Sequence, residues 1–466
     1  MWTRLSTEMM SPGGVKQGNI SPLRLKGMAM RLRHKVHGFV INRKPSYTEL
    51  EKQDADRKLS TLEGPDNWAG LKSIFFHPFS VFLICLPLGI VSGIRGWGDA
   101  WTFWLNIIGI IPLAKFLGDA TEELAAAIHN DTLSGLLNAT LGNAVEMIIT
   151  VQTLRKGLLG IVRTTLLGSI LSNLLLVLGT SFFLGGFSAS SGRTGHHHVI
   201  HIDHYDNAKR SRSITTEKEQ LFSVKGALVN MGMQLLACMT CTLPTIFSAN
   251  AKDLDSEETD AAILGVSRLG AIIISVSYMA FLFFELYTHK TMLSRDGDEG
   301  AEPGEGGDDE EGASLTATCS IVLMTVITVI IAICSELLVG TIDHVVMKCG
   351  IPEQFIGVVL LPFAGNACEH ASALRFAIDD RPGLVIGIAV GSSTQIALLV
   401  VPFSVLAGWY LNQPMSLDFG AMNTAVLILS VLVVLTMVID GRSNWLKGFM
   451  LITAYTFISV LYWYDV

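Results

Sequence analysis

The chain has 466 residues, 50% of them hydrophobic and only 16% charged, with a mean hydropathy of +0.47. A soluble domain carries about 25% charged residues, and here the apolar residues fall in long blocks. The composition therefore excludes an ordinary soluble domain and gives no reason to expect a nucleic-acid partner; it predicts an all-α polytopic membrane protein whose solvent is the lipid bilayer.

The formal charge of −8 is segregated, with a basic start and a strongly acidic stretch at 296–311. Residues 1–72 form a Ser/Pro/Gly-punctuated basic arm, read as disordered or weakly helical and, by the positive-inside rule, as cytoplasmic. Autoinhibition or lipid binding through its basic cluster is the sharper alternative. No cleavable signal is expected, because Met1 opens a polar stretch. Eleven spans of about 20 apolar residues follow, near 77–96, 101–128, 132–154, 160–186, 221–247, 262–289, 315–347, 352–378, 383–411, 419–439 and 445–464. Pro112 and Pro362 predict bent or broken helices, which are tolerated where the freed backbone faces protein or a cavity. The seven cysteines lie mostly in apolar segments, which argues for packing and against a disulfide framework; this includes Cys238 and Cys241 despite their redox-like spacing.

The span at 77–96 stands alone. Five spans make a first unit, 101–289, and five a second, 315–466, joined by an acidic linker at 290–314. An odd number of spans per unit forces opposite orientations, the inverted-repeat plan of many secondary transporters. It puts the arm and the linker on one side and the carboxyl terminus on the other. Within the first unit, the loop 187–220 carries His196, His197, His198, His201 and His204. Such a cluster suits Zn, Mn or Ni or serves as a solvated, pH-sensitive tether. The linker carries Asp308, Asp309, Glu310 and Glu311 among glycines. It reads either as a solvated connection or as a surface that gathers cations beside a pore mouth.

The units announce themselves by a repeat. Gly142-Asn143-Ala144-Val145-Glu146 returns as Gly365-Asn366-Ala367-Cys368-Glu369, 223 positions on. Laid over each other without a gap from 142 to 185, the copies share thirteen residues, where composition alone gives roughly four or five. A carboxylate at a membrane-helix centre costs about 2.5–3.5 kcal/mol. This chain spends that on Glu146 and Glu369, with Glu122 and Glu336 as a further related pair. Lys115 is the main basic residue within the spans, so protons or a captured cation must neutralise the acids. Asn143 and Glu146 share a helix face, as do Asn366 and Glu369, with His370 a turn from Asn366. Ser169 on the next helix of unit one and Ser392 with Gln395 in unit two add hydroxyl and amide oxygens. Such a hard, oxygen-rich set suits Ca²⁺, with Mn²⁺ also acceptable. A carboxylate pair that holds either a metal ion or protons, presented alternately to two sides, is an antiporter; Glu122, Glu336 and His370 are placed as proton relay or access residues. No resident cofactor is expected, only transported ions, and homo-oligomerisation is left open.

At this point the chain resembles the cation/proton exchanger (CAX) family. Gly142–Glu146 with Leu-Leu-Gly-Ser-Ile-Leu-Ser-Asn-Leu-Leu-Leu-Val-Leu-Gly at 166–179 is similar to the first α-repeat of that family. Residues 365–370 with Gly-Ser-Ser-Thr-Gln-Ile-Ala-Leu at 391–398 are similar to the second, and Ala-Thr-Glu-Glu-Leu-Ala at 120–125 looks like the family's second helix. The resemblance covers about 75–466. It implies Ca²⁺/H⁺ exchange at a vacuolar or other acidic-organelle membrane of a fungus, plant or protist. It also implies one extra helix before two inverted five-helix repeats, and cation binding at Glu146 and Glu369. Cys368 stands where the family usually has a small residue such as Ala, and the acidic stretch is richer in glycine than an ordered acidic helix allows.

The nearest rival is a Na⁺- or K⁺-dependent Ca²⁺ exchanger on a similar fold, against which stands the absence of Gly-Thr-Ser-x-Pro-Glu repeats. A divalent-cation channel would conduct without proton counterflow. An enzyme would want a nucleophile–base pair or paired histidines within the spans, and the sequence has neither.

Overall fold

The computed structural model describes residues 66–128, 131–188, 219–250, 256–289 and 313–464. The apolar blocks become helices because lipid offers no partner to a backbone N–H or C=O, so each segment must satisfy its own. A short helix, α1 (Asn67–Phe75), comes first. It is followed by α2 (Pro78–Arg95), α3 (Asp99–Ile128), the pair α4 (Asp131–Leu141) and α5 (Ala144–Arg155), then α6 (Leu159–Phe187), α7 (Val224–Asn250) and α8 (Glu258–Thr288). The second unit runs α9 (Ala317–Val339), a short α10 (Ile342–Cys349), the pair α11 (Glu353–Gly365) and α12 (Ala367–Ile378), then α13 (Pro382–Tyr410), α14 (Ala421–Val438) and α15 (Trp445–Tyr464). Among the described residues nine of these are long and apolar enough to cross a membrane. The two remaining crossings, α4–α5 and α11–α12, are made in two pieces.

Four expectations change. The spans at 132–154 and 352–378 are each broken at the repeat motif, where Asn143 (φ −103°, ψ 24°) and Asn366 (φ −84°, ψ 13°) leave helical geometry. The span at 315–347 ends at Val339, and α10 is a separate short helix beyond it. Pro112 does not interrupt α3, which runs straight through it with the ring buried; Pro362 sits in the first turn of a helical stretch and precedes the break at Asn366. The basic arm is also shorter than 72 residues, because Asp66 caps α1 by accepting the N–H groups of Trp68 and Ala69 at 3.0 and 3.4 Å.

Side chains fix the direction of each helix. Glu123, near the end of α3, accepts the N–H groups of Ser314 and Leu315 at 2.8 and 3.0 Å and the Ser314 hydroxyl at 2.6 Å. Asn67 accepts the N–H of Thr316 at 2.8 Å. The start of α9 thus lies beside the start of α1 and the end of α3, so α3 and α9 are antiparallel. At the opposite end Lys348 of α10 reaches Asp99, the first residue of α3, at 3.7 Å. Gln220 in β1 (Gln220–Leu221), before α7, pairs with Ser443 of β2 (Arg442–Ser443), before α15, and its amide donates to Ala377 O and Asp380 at the end of α12. One end of the bundle, the linker side, therefore carries the described chain's start, Ser188 and Gln220, and the residues flanking the acidic linker. The other, the far side, carries the α2–α3, α5–α6 and α13–α14 turns and the end of α15. Equivalent helices of the two units run in opposite senses, as an inverted repeat requires.

Replacing Glu123 by Ala removes three hydrogen bonds and strands two N–H groups at the start of α9. We expect a loss of about 2 kcal/mol, seen as a lower melting temperature in detergent. A melting temperature equal to that of the unaltered protein would show that the tether contributes nothing.

Candidate cation site

The two helix breaks meet. Glu146, in the first turn of α5, is buried at 4% exposure, and Glu369 holds the matching place on α12 with its Oε2 sealed from solvent. Glu146 Oε1 lies so close to Gly365 that a Cβ there would stand 2.7 Å away and push the carboxylate aside. The two carboxylates are near enough to act on each other electrostatically. Each sits at the amino end of a half-helix, where the helix dipole favours negative charge.

The neighbouring polar side chains are tied across the repeat interface, one partner from each unit. Asn143 Nδ2 donates to Gln395 Oε1 at 2.8 Å, Asn173 Nδ2 to Ser392 Oγ at 3.0 Å, and Asn366 Nδ2 to the carbonyl of Ser169 at 3.1 Å. Ser392 Oγ also lies 3.5 Å from Asn143 Oδ1. These bonds use the nitrogen of each amide and leave oxygens over. Glu146 Oε1, Glu369 Oε2, Asn366 Oδ1, Asn173 Oδ1 and Thr165 Oγ are all buried with no hydrogen-bond partner in the protein. Each unpartnered buried polar group costs about 1–3 kcal/mol. Oxygen-only donors, two of them carboxylate, are what a hard divalent cation such as Ca²⁺ takes.

Among the described residues no basic side chain is paired with Glu146 or Glu369. Lys115 spends its ammonium on Asp119, one turn further along α3. His370 turns aside, its Nε2 lying 2.9 Å from Thr180 Oγ1 on α6. Glu122 and Glu336 do not join the pair. Glu122 is exposed on the linker-side half of α3. Glu336 lines a far-side cavity of about 500 Å³ with Asp99, Thr102, Lys156 and Ser92. They stand at opposite ends of the antiparallel α3 and α9, as inverted copies should. The acidic residues Asp308, Asp309, Glu310 and Glu311 and the histidines at 196, 197, 198, 201 and 204 lie outside the described residues.

Sequence reasoning missed a second device. The helices after the motifs, α6 and α13, widen into π turns at equivalent places, Ser172–Val177 and Ile396–Val400. Such bulges loosen the backbone ladder and cluster at functional sites. Apart from Ser172 and Asn173 their residues are apolar, and hydropathy does not distinguish a π turn from an α turn.

The two seams that flank the site are unequal. Where α6 crosses α11, a Cβ on Gly168 would fall 2.2 Å from the carbonyl of Val358, and one on Gly357 would fall 2.0 Å from Thr164 Oγ1. At the same offset the other crossing, α13 with α4, would pair Gly391 and Gly387 with the region of Gly135 and Ser134. Neither Gly391 nor Gly387 has anything within 4 Å of such an atom. The α6–α11 seam descends from the far side and is closed; the α13–α4 seam descends from the linker side and is open.

Comparison with known proteins agrees with this geometry. The chain matches the profile of the family described as sodium/calcium exchanger protein over residues 99–287 and 319–464. It is 38% identical over 387 residues to vacuolar cation/proton exchanger 2 of Oryza sativa subsp. japonica, covering 82% of this chain and 81% of that protein. It is 36% identical over 410 residues to the vacuolar calcium ion transporter of Schizosaccharomyces pombe, covering 88% of this chain and 89% of that one. Among solved structures, native YfkE aligns with a TM-score of 0.63 at 29% identity, over 83% of this chain and 99% of YfkE. The H⁺/Ca²⁺ exchanger CAX aligns with a TM-score of 0.52 at 15% identity over 82% of this chain and 92% of its own, a likeness of fold alone. With both inverted units matched, the chain belongs to the sodium/calcium exchanger protein family.

Proposed function

We propose that this chain is a secondary active antiporter that exchanges Ca²⁺ for H⁺ across a vacuolar or other acidic-organelle membrane, with Mn²⁺ as a second cargo. One observation carries the reading. Two carboxylates, one from each repeat, lie at the meeting of the two motifs among buried oxygens that have no hydrogen-bond partner, and among the described residues Lys115 is tied to Asp119 instead. Such a pair is stable only when a cation or protons sit on it. A divalent cation wants both groups ionised and protons want both neutral, so the two cargoes exclude each other. The names of the relatives, a vacuolar calcium ion transporter and a vacuolar cation/proton exchanger among them, support this choice over a Na⁺- or K⁺-dependent exchanger. The machinery is that of a transporter, and the reading needs no enzymatic step and no resident cofactor.

Glu146 and Glu369 are the cation and proton ligands in this reading, with Asn143, Asn366 and Ser169 supplying oxygens. Ser392 and Gln395 chiefly aim the amides of Asn173 and Asn143. Glu122 and Glu336 serve the approaches from the two sides, and His370 stands on the linker-side path. The basic arm makes the linker side cytoplasmic, so the observed seams give a site closed to the organelle interior and open to the cytoplasm. The other state closes α13 on α4 and opens α6 from α11.

Glu146→Gln and Glu369→Gln each keep the shape and remove the charge. Both should abolish uptake of radiolabelled Ca²⁺ into vesicles with an acid interior while leaving the amount of folded protein unchanged; normal rates in either would refute the assignment. Omitting Na⁺ and K⁺ should not matter, and an ionophore that collapses the pH gradient should stop the flux. Gly387→Val tests the seams. It has room in the observed state, so melting should match the unaltered protein, but the side chain would block closure against α4 and turnover should fall at least about tenfold. Unchanged turnover would rule out that closure.

A further inference from the structure

Resting on the exchanger reading, two charges that reading leaves without a role, Lys115 and Asp119, continue a stripe that begins at Glu122. Lys115, Asp119 and Glu122 lie on one face of α3, spaced by four and three residues. Counted back from Glu336, the same places on α9 hold Val329 and Ile333, which are 54% and 43% exposed. One repeat thus has an ion pair where its inverted copy has lipid-compatible side chains. Lys115 and Asp119 are only 16% and 19% exposed, so the pair faces protein or water and not the acyl chains. Charges at such depth persist where they line an aqueous path or meet a partner.

The stripe leads to the site. Between the paired residues, Gly118 packs against α12, where an added Cβ would stand 3.3 Å from Cys368 Sγ, and Cys368 immediately precedes Glu369. Lys115, Asp119 and Glu122 all act electrostatically on Cys368. The ammonium is felt in the other direction too: burial first, and then the charge of Lys115, pulls the imidazole of His77 at the start of α2 below its ordinary range. Because α3 runs toward the linker side, its charges stand in the order Glu122, Asp119, Lys115 when counted inward from that side. The order is attraction, attraction, repulsion.

We propose that Lys115 and Asp119 form a specificity-determining charge pair on the linker-side path, in which the tethered ammonium limits how strongly a divalent cation is drawn toward Glu369. Coulomb's law makes the effect twice as large for a divalent as for a monovalent cation. The pair holds Asp119 against capture of passing cations and sets how strongly a divalent cation is gathered ahead of the glutamates. It acts on approach and not on the exchange step itself, so KM moves and kcat does not.

The test is Ca²⁺ uptake into acid-interior vesicles oriented with the linker side outward, with KM and kcat measured for four variants. Lys115→Gln should lower KM for Ca²⁺ by about three- to tenfold, and Asp119→Asn, which leaves the ammonium unneutralised, should raise it by a similar factor. The double variant should return toward the original value, and Lys115→Arg should keep it. Both shifts should shrink in high salt. A pair that only holds α3 in shape would weaken folding in both single variants and shift KM in the same direction in both, or not at all; that result overturns the proposal. Should Asp119→Asn fail to fold, the opposite behaviour of Lys115→Gln and Lys115→Arg still decides. If the unaltered protein itself shows no proton-driven Ca²⁺ uptake, the exchanger reading fails first, and the two failures are distinct.

Discussion

The structure depends on a deliberate electrostatic deficit. Two carboxylates are placed where water is scarce, and the fold withholds every basic side chain that could neutralise them. Lys115 is bound to Asp119, and the amide nitrogens nearby are committed to Gln395, Ser392 and Ser169. An ion pair in the pocket would be stable and inert, since breaking a buried pair costs about 3–5 kcal/mol. Leaving the charge to be supplied from outside makes occupancy obligatory and exchangeable.

That deficit explains the helix breaks. A continuous helix satisfies its own carbonyls and has none to spare for an ion. Interrupting α4–α5 and α11–α12 at Gly-Asn puts two helix ends into the core, and the π turns in α6 and α13 loosen the ladder opposite them. Irregular backbone at this depth is tolerable where it faces protein or a water-filled cavity and not lipid. The amides then divide their labour, with nitrogen fixing position and oxygen left for cargo.

Much of this was legible in the amino acids. The apolar blocks are long enough to count eleven crossings, and the returning Gly-Asn-Ala-x-Glu marks both units and their acidic residues. Two things were harder to read. The breaks fall inside apolar runs, where hydropathy measures only the solvent and not the ladder, so Pro112 looked like an interruption and proved not to be one, while Gly142-Asn143 did interrupt. The partners across the interface, such as Asn143 with Gln395, are 252 positions apart, and nothing local to either residue names the other. Glu122 and Glu336 resemble each other in sequence, yet they stand at opposite ends because inversion carries equivalent residues to opposite faces.

Inversion also accounts for the unequal seams. Two segments of the same plan, folded in opposite senses, need not adopt the same packing at the same moment. Closing both seams would trap the cargo, and opening both would give a leak. Gly168 against Val358 and Thr164 against Gly357 are contacts without slack, and close-packed contacts are made or unmade as a whole and do not stretch. Gly387 and Gly391 keep the equivalent surface of α13 bare, which preserves room for the complementary contact. The absence of side chains on one seam is therefore as informative as the tight fit on the other. A repeat that had lost those glycines could still fold around the carboxylates and hold an ion, but it would have no second packing to move to.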